Sequence, residues 1–154
     1  YVSRKLWTPM HAEESALWSL DRKDGMEKAY CCFNSNARDF ARFGQLLLNN
    51  GQWDGQQLIS PAYLAEATSP DTRLVYKDLG KPNHCYGFQY WILDYKGMKI
   101  PYMRGILGQY VFTLPEKNAV IVRLGHKRSD NYTADQHYPD DINTWLDAAM
   151  DLLQ

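Results

Sequence analysis

The sequence predicts an α+β domain in which helices come first, an antiparallel meander follows, and a last helix packs across the sheet. Three observations support this prediction. A capped helix pattern begins near residue 36, apolar segments separated by turn signals run from 86 to 124, and an amphipathic pattern closes the chain. The 154 residues suffice for one domain or for part of a larger one.

The composition is that of an ordinary globular protein, with 45% hydrophobic and 23% charged residues. Seventeen Lys and Arg against eighteen Asp and Glu give a net charge of −1. This balance argues against a cationic surface that binds nucleic acid or membranes, so neither is expected as a partner. The 14% aromatic content fits core and rim packing, with stacking on a sugar or base as the alternative.

Residues 1–80 are predicted to be mainly helix and loop. Residues 1–7 are typical of the last turns of a helix that Pro9 cannot continue. After a packed loop with a turn at residues 24–25, a helix begins with Asn36 as its N-cap and Asp39 in a capping box, and it ends at residues 50–51. We expect this helix to bury a stripe of apolar side chains: Ala37, Phe40, Ala41, Leu47 and Leu48.

A second helix is predicted from Ser60 and Pro61, which are typical of the N-cap and first position, to a point before Pro70. Residues 81–154 are predicted to hold strands and a C-terminal helix. The predicted strands are 86–93, 100–106, 109–114 and 119–124, with turns at 96–97 and 115–118. The last helix opens at Pro139 and carries apolar residues at helical spacing: Ile142, Trp145, Leu146, Ala149, Leu152 and Leu153.

The three cysteines do not suggest a disulfide framework. Because adjacent cysteines form a disulfide only with strain, Cys31 and Cys32 are expected to be buried thiols. Cys85 follows His84, but neighbours on a strand point to opposite faces, so this pair is not expected to act together. No zinc-ligand spacing, phosphate-binding loop or dinucleotide fingerprint occurs, so neither a metal nor a cofactor is predicted.

No framed nucleophile is present, since the sequence has neither Gly-x-Ser-x-Gly nor Ser-x-x-Lys. One segment, 104–110, has two glycines three residues apart within a strand-like pattern. Such glycines indicate either a bulge or a close approach of backbone amides to a ligand, as in an oxyanion hole. The pattern alone leaves both interpretations open.

Several segments, taken in order, resemble a known family. They are Ala-Leu-Trp-Ser-Leu-Asp from Ala16, Asn-Ala-Arg-Asp-Phe-Ala-Arg-Phe-Gly-Gln from Asn36, Asn-Gly-Gln-Trp-Asp-Gly from Asn50, Tyr-Gly-Phe-Gln-Tyr-Trp from Tyr86, and Gly-Ile-Leu-Gly-Gln from Gly105. The ordered set is similar to the C-terminal half of class C β-lactamase-related serine hydrolases, most of all to the 6-aminohexanoate-dimer-hydrolase-like branch.

The resemblance implies a partial β-lactamase-like or penicillin-binding-protein-like fold, with 1–154 as the C-terminal portion of one domain. It also implies a nucleophilic Ser in a Ser-x-x-Lys motif, assisted by a Tyr, both upstream of residue 1. The Lys-Thr-Gly strand of relatives that bind penicillins matches Met103, Arg104 and Gly105. Ile106 would then offer its backbone N–H to the oxyanion hole, with Arg104, Gly105, Gly108 and Gln109 beside the substrate.

Met103 lacks the cation that helps to hold a β-lactam carboxylate, so an amide, ester or peptide-like substrate is expected instead of a penicillin. The full-length protein is expected to be a hydrolase that works through an acyl-enzyme, and this chain alone is expected to be inactive. The alternative is a non-catalytic sensor or ligand-binding module.

The remaining expectations concern partners and location. Without the upstream part of the protein, an unpaired sheet edge is expected to promote self-association. The resemblance favours an exported, periplasmic location, whereas cysteines outside any disulfide pattern favour a reducing compartment.

Overall fold

The centre of the protein is a four-stranded antiparallel sheet, which we describe from a computed structural model that covers residues 1–77 and 80–153. Its strands are β1 (Trp91–Tyr95), β2 (Met98–Arg104), β3 (Tyr110–Leu114) and β4 (Ala119–Arg123). They lie in sequence order, so each pairs with the next through a short connection. The predicted antiparallel meander is therefore confirmed.

Three helices accompany the sheet: α1 (Ala37–Leu48), α2 (Pro61–Ala67) and α3 (Asp141–Leu152). Shorter pieces are a π-helical turn at Ser3–Trp7 and a 3-10 turn at Pro115–Lys117. Two-residue strands form three small ribbons: Leu17–Trp18 with Phe33–Asn34, Gln52–Trp53 with Gln56–Gln57, and Val75–Tyr76 with Lys81–Pro82.

The sheet is covered on both faces, because every residue of β3 is buried. Tyr110, Phe112 and Leu114 point to one face, where they pack with Ile142 and Leu146 of α3 in the main core. Val111 points to the other face, where α1 lies so close that a Cβ on Gly44 would come within 3.2 Å of a Val111 methyl group and 2.5 Å of one on Val120. The sequence predicted a cover on at least one face.

Several predicted element ends are confirmed. Asn36 caps α1 by accepting the N–H of Asp39 at 2.8 Å, and Ser60 and Pro61 open α2. The turn between β1 and β2 has positive φ at Lys96 (52°) and Gly97 (88°), as a tight hairpin requires.

Other predicted elements were wrong in extent. The strand predicted over 86–93 begins only at Trp91, because Gly87 lies against the end of α2 and the Phe88 N–H donates to the Ala67 carbonyl at 2.9 Å. The strand predicted over 100–106 runs from Met98 to Arg104, because the chain turns at Gly105. Helix α3 begins at Asp141, and its last apolar residues, Leu152 and Leu153, are exposed.

The stripe predicted for α1 was also wrong. Ala37 is exposed, and the fully buried positions are Asp39, Gly44 and Leu46. The helix touches two surfaces at once, the sheet through Gly44 and an aromatic cluster around Phe33 through Phe40 and Phe43. The buried residues of α1 therefore do not form the single apolar stripe that the sequence predicted.

Cys31 and Cys32 form a disulfide, which corrects the expectation of two buried thiols. That expectation rested on the strain of a disulfide between adjacent cysteines. In the structure Cys32 has a φ of 70°, and the Cys31 N–H donates to the Lys28 carbonyl in a turn, which brings the two side chains together. Cys85 is a buried free thiol.

The Asp39 carboxylate ties the N-terminal loop to α1. It is fully buried and accepts the backbone N–H groups of Glu13 (2.8 Å) and Glu14 (3.1 Å), besides bonds from Asn36 and Arg42. Burial on its own would raise the pKa of Asp39, but these hydrogen bonds and the Arg42 charge outweigh it and hold the pKa below its usual value.

Replacing this carboxylate is expected to be costly. We predict that Asp39→Asn lowers the free energy of unfolding by about 2–3 kcal/mol, because an amide oxygen cannot accept all four donors and leaves some of them buried without a partner. Because the folded-state pKa is lowered, the difference is fully present above pH 4 and shrinks as the pH falls through the folded pKa. Urea unfolding at several pH values measures it. Asp151→Asn, on the exposed side of α3, is the control and should change stability by less than about 0.5 kcal/mol.

Candidate active site

The loop between β2 and β3, residues 105–109, is held by hydrogen bonds that converge on Gln109. The backbone carbonyl of Gln109 accepts the Gly105 N–H at 2.7 Å, and its side-chain Oε1 accepts the Leu107 N–H at 3.1 Å. Between these two donors lies Ile106, whose side chain is exposed and whose N–H has no acceptor within the described residues. The Ile106 N–H, like the N–H groups of Gly108 and Gln109, therefore makes no hydrogen bond within the described residues.

The segment after β4, residues 125–129, braces this loop from one side. Arg123, at the end of β4, donates through Nη1 to the Gly108 carbonyl at 2.5 Å and through Nη2 to the Lys127 carbonyl at 3.0 Å. The Gln109 Nε2 donates to the Gly125 carbonyl at 2.5 Å. Arg128 Nε donates to the Ile106 carbonyl at 2.9 Å. In each of these hydrogen bonds the acceptor is therefore a backbone carbonyl.

Glycine is required at Gly108 for two separate reasons. Its φ is 83°, in the region that L side chains rarely adopt. A Cβ there would also lie 2.1 Å from Arg123 Nη1 and 2.8 Å from the Lys127 carbonyl oxygen. The sequence left two interpretations of the glycines open, a bulge or a close approach of backbone amides to a ligand. The structure has no bulge here, because no extra residue interrupts the ladder: β2 ends and the backbone turns.

Arg104 lies against an aromatic cluster. Its guanidinium carbon is 3.3 Å from the centre of the Trp91 ring, and Nη1 donates to the His137 carbonyl at 3.0 Å. Tyr86 packs edge-on against Trp91 at 4.7 Å. The guanidinium has no carboxylate partner among residues 1–77 and 80–153, and its described contacts are rings, a carbonyl and the Tyr102 hydroxyl, to which Nη1 donates at 3.4 Å.

The phenols near this loop are poor bases. Burial raises the pKa of Tyr102 well above its usual value, although the neighbouring Arg104 lowers it in part. Burial, together with the Asp141 carboxylate, raises the pKa of Tyr110 to about 12. Burial also raises the pKa of the Cys85 thiol, which is therefore not a thiolate nucleophile at neutral pH. None of these three groups can take a proton from an attacking nucleophile near pH 7.

A cleft lies away from this loop, at the start of the chain. A cleft of about 490 Å³ is lined by Ser3, His11 and Asp54 among others, and the His11 Nε2 lies 3.1 Å from an Asp54 oxygen. Both of these side chains are largely exposed, and no described hydrogen bond joins the Ser3 hydroxyl to the imidazole. This cleft therefore lacks the bond that activates a serine.

The described residues hold no group of three or more metal-ligating side chains, and no described helix is long and apolar enough to cross a membrane. The sequence pointed to the 105–109 loop through its glycines but missed Arg123 and Arg128. No sequence signal marks these two arginines, because their partners are carbonyl groups supplied by the fold.

Comparison with known proteins finds similar hydrolases. The chain is 27% identical over 127 residues to the 6-aminohexanoate-dimer hydrolase of Paenarthrobacter ureafaciens, a match that covers 80% of this chain and 32% of that protein. A candidate 6-aminohexanoate-dimer hydrolase from Bacillus anthracis superposes with a TM-score of 0.75 and 27% identity, over 99% of this chain and 37% of the other.

A third protein supports the fold only. A candidate β-lactamase from Bacteroides dorei superposes with a TM-score of 0.58 at 12% identity, over 96% of this chain and 49% of the other. No protein-family model matches the chain. The chain thus spans between about a third and a half of the length of these relatives.

The bracing of the loop can be tested at Gly108. We predict that Gly108→Ala lowers the free energy of unfolding of the full-length protein by about 1–3 kcal/mol more than Gly97→Ala does. Gly97 is the matched control, because its φ is also positive (88°) but a Cβ there would meet no atom within 4 Å. Thermal and urea unfolding measure the difference. Equal losses for the two variants would contradict the contact with Arg123.

Proposed function

We propose that this chain, which is similar to 6-aminohexanoate-dimer hydrolases and has a β-lactamase-like fold, forms the oxyanion side of an active site in a larger serine hydrolase. That enzyme would cleave an amide or ester through an acyl-enzyme. One observation carries the proposal: the Ile106 N–H is presented by a braced loop and has no acceptor among the described residues.

The chemistry needs such a donor. A nucleophilic serine adds to the substrate carbonyl and turns its oxygen into an oxyanion, which collapses as the amine or alcohol leaves and an acyl-enzyme remains. Water then adds to the acyl carbonyl, a second oxyanion forms, and the acid is released. Donors that are already aimed at this oxygen lower both barriers without reorganisation. Ile106 would serve at both steps.

We assign different tasks to the other residues of the loop. Gly105 and Gly108 permit the backbone to turn, and Gln109 holds the loop through both its backbone carbonyl and its side chain. Arg104, which shares the aromatic surface of Trp91, would border the substrate. Met103 in place of a lysine favours a simple amide or ester over a penicillin. The name 6-aminohexanoate-dimer hydrolase, which two compared proteins carry, agrees with this preference.

The nucleophile is proposed to lie outside this chain. The sequence contains no Ser-x-x-Lys, and the buried phenols and thiol near the loop cannot act as the base at neutral pH. The rest of the protein would supply the serine, its lysine and tyrosine partners, and a strand to pair with the free edge of β4. Residues 1–154 alone would then be inactive.

A fluorophosphonate probe tests where the nucleophile lies. We expect one adduct on the full-length protein, at a serine of a Ser-x-x-Lys motif outside residues 1–154, and none on the isolated chain. Intact mass followed by peptide mapping locates it. An adduct on Ser3 would place the chemistry in the other cleft. Complete absence of labelling, with ligand binding retained, would favour the non-catalytic sensor.

The donor itself is tested at Ile106. In the full-length enzyme, Ile106→Pro removes the N–H and should lower kcat by about 10²-fold or more. Ile106→Ala keeps the N–H and removes only an exposed side chain, so its kcat should stay within about threefold of wild type. Steady-state hydrolysis of p-nitrophenyl acetate gives both values, with circular dichroism as the check on folding. A folded, fully active proline variant would overturn the assignment.

A further inference from the structure

Arg128 is the residue of the 125–129 segment that reaches Ile106 directly. Its Nε donates to the Ile106 carbonyl at 2.9 Å, and its Nη1 donates to the Ser129 carbonyl at 2.7 Å. The guanidinium carbon lies 5.0 Å from the centre of the Tyr132 ring. A ring and two carbonyl bonds thus fix the guanidinium itself, so that it can serve as an anchor for the loop.

We propose that Arg128 is a positioning residue for the reaction: it holds Ile106 through its backbone carbonyl, so that the N–H of the same residue faces the oxygen of the reacting carbonyl. This inference rests on the proposed function and adds a residue to which neither the sequence patterns nor the resemblance gave a role.

The loop needs such an anchor at Ile106. The bonds to Gln109 hold the Gly105 N–H and the Leu107 N–H, and the Leu107 N–H belongs to the same planar peptide group as the Ile106 carbonyl. The peptide group that carries the Ile106 N–H has no hydrogen bond among the described residues. Gly105 precedes it and allows a wide range of backbone angles. The bond from Arg128 gives the peptide group after Ile106 a second fixed contact, and this limits the backbone angles of Ile106 before the substrate arrives. Errors of about 1 Å in the placement of a catalytic group can cost about 10²-fold in rate.

The charge of Arg128 contributes in the same direction. Arg42 and Arg73 each contact a carboxylate, whereas no carboxylate lies within 4.0 Å of Arg128 in the part of the chain that the structure describes. An unneutralised guanidinium bonded to the residue that carries the donor favours negative charge on the oxygen that the donor binds. Position and charge can be separated by substitution, because Lys keeps the charge while Gln keeps only a neutral donor.

A purely structural role would produce a different pattern. If Arg128 only stabilised the loop, its loss would lower the unfolding midpoint and would add its full cost to that of any other damaged residue. If it acts through the Ile106 N–H, its loss should have little effect once that N–H is gone, since residues that work as one unit are not additive.

The experiment is a double-mutant cycle in the full-length enzyme, with p-nitrophenyl acetate as substrate and the rate of fluorophosphonate inactivation as a second readout. We expect Arg128→Met to lower kcat by about 10- to 100-fold, with KM changed less than about threefold. Arg128→Lys should recover most of the loss, and Arg128→Gln less. When Arg128→Met is added to Ile106→Pro, kcat should fall by less than a further factor of about three. Lys117→Met, which removes an exposed cation at the far end of the β3–β4 hairpin, is the control for net charge.

The outcomes separate the two proposals. If Ile106→Pro abolishes turnover but Arg128→Met does not reduce it, or if the two losses add in full, the positioning role is overturned and the proposed function stands. If Ile106→Pro is as active as Ile106→Ala, both are overturned. If Arg128→Met fails to fold, Arg128→Lys and Arg128→Gln decide the question. Wild-type turnover in both variants would overturn the positioning role. A loss of turnover that is larger for Arg128→Gln would support it.

Discussion

The arrangement of this site depends on the double use of Gln109. Its backbone carbonyl and its side-chain oxygen accept the N–H groups on either side of Ile106, and its side-chain nitrogen donates to the next segment of the chain. A five-residue loop with two glycines would otherwise have many conformations. Because the N–H groups on either side of Ile106 are bonded within the loop, the Ile106 N–H between them lies in a constrained segment and has no acceptor among the described residues.

The sheet decides which side chains can reach this loop. Tyr110, the first residue of β3, pairs with Arg104 of β2 and with Arg123 of β4, so all three strands meet at one level beside the loop. Both arginines are thereby placed at the same end of the sheet. The strand between them is buried on both faces by α1 and α3, which gives the loop a rigid base. Strand register therefore explains why Arg123 lies beside the loop, where it donates to the Gly108 carbonyl.

Sequence reasoning was accurate where a local rule applies and failed where a distant partner decides. Capping residues, the Ser60-Pro61 helix start and the hairpin turns follow from short-range geometry, and they were predicted correctly. The buried role of Asp39 could not be predicted, because its main partners, the N–H groups of Glu13 and Glu14, lie 25–26 residues away. The same holds for the early end of the strand at Arg104, for the turn that joins Cys31 to Cys32, and for Arg128.

The described residues around the loop serve one part of the chemistry, the stabilisation of negative charge, and this limits how the enzyme would be built. Around the loop lie backbone donors and guanidinium groups, which favour an anion, and phenols that stay protonated because burial raises their pKa values. None of the buried phenols or the thiol can remove a proton near pH 7. A stabiliser of negative charge accelerates a reaction only when another group creates that charge. The proposed division follows: this portion would hold a fixed site for the oxyanion, and the acid–base groups would approach it from the remainder of the protein.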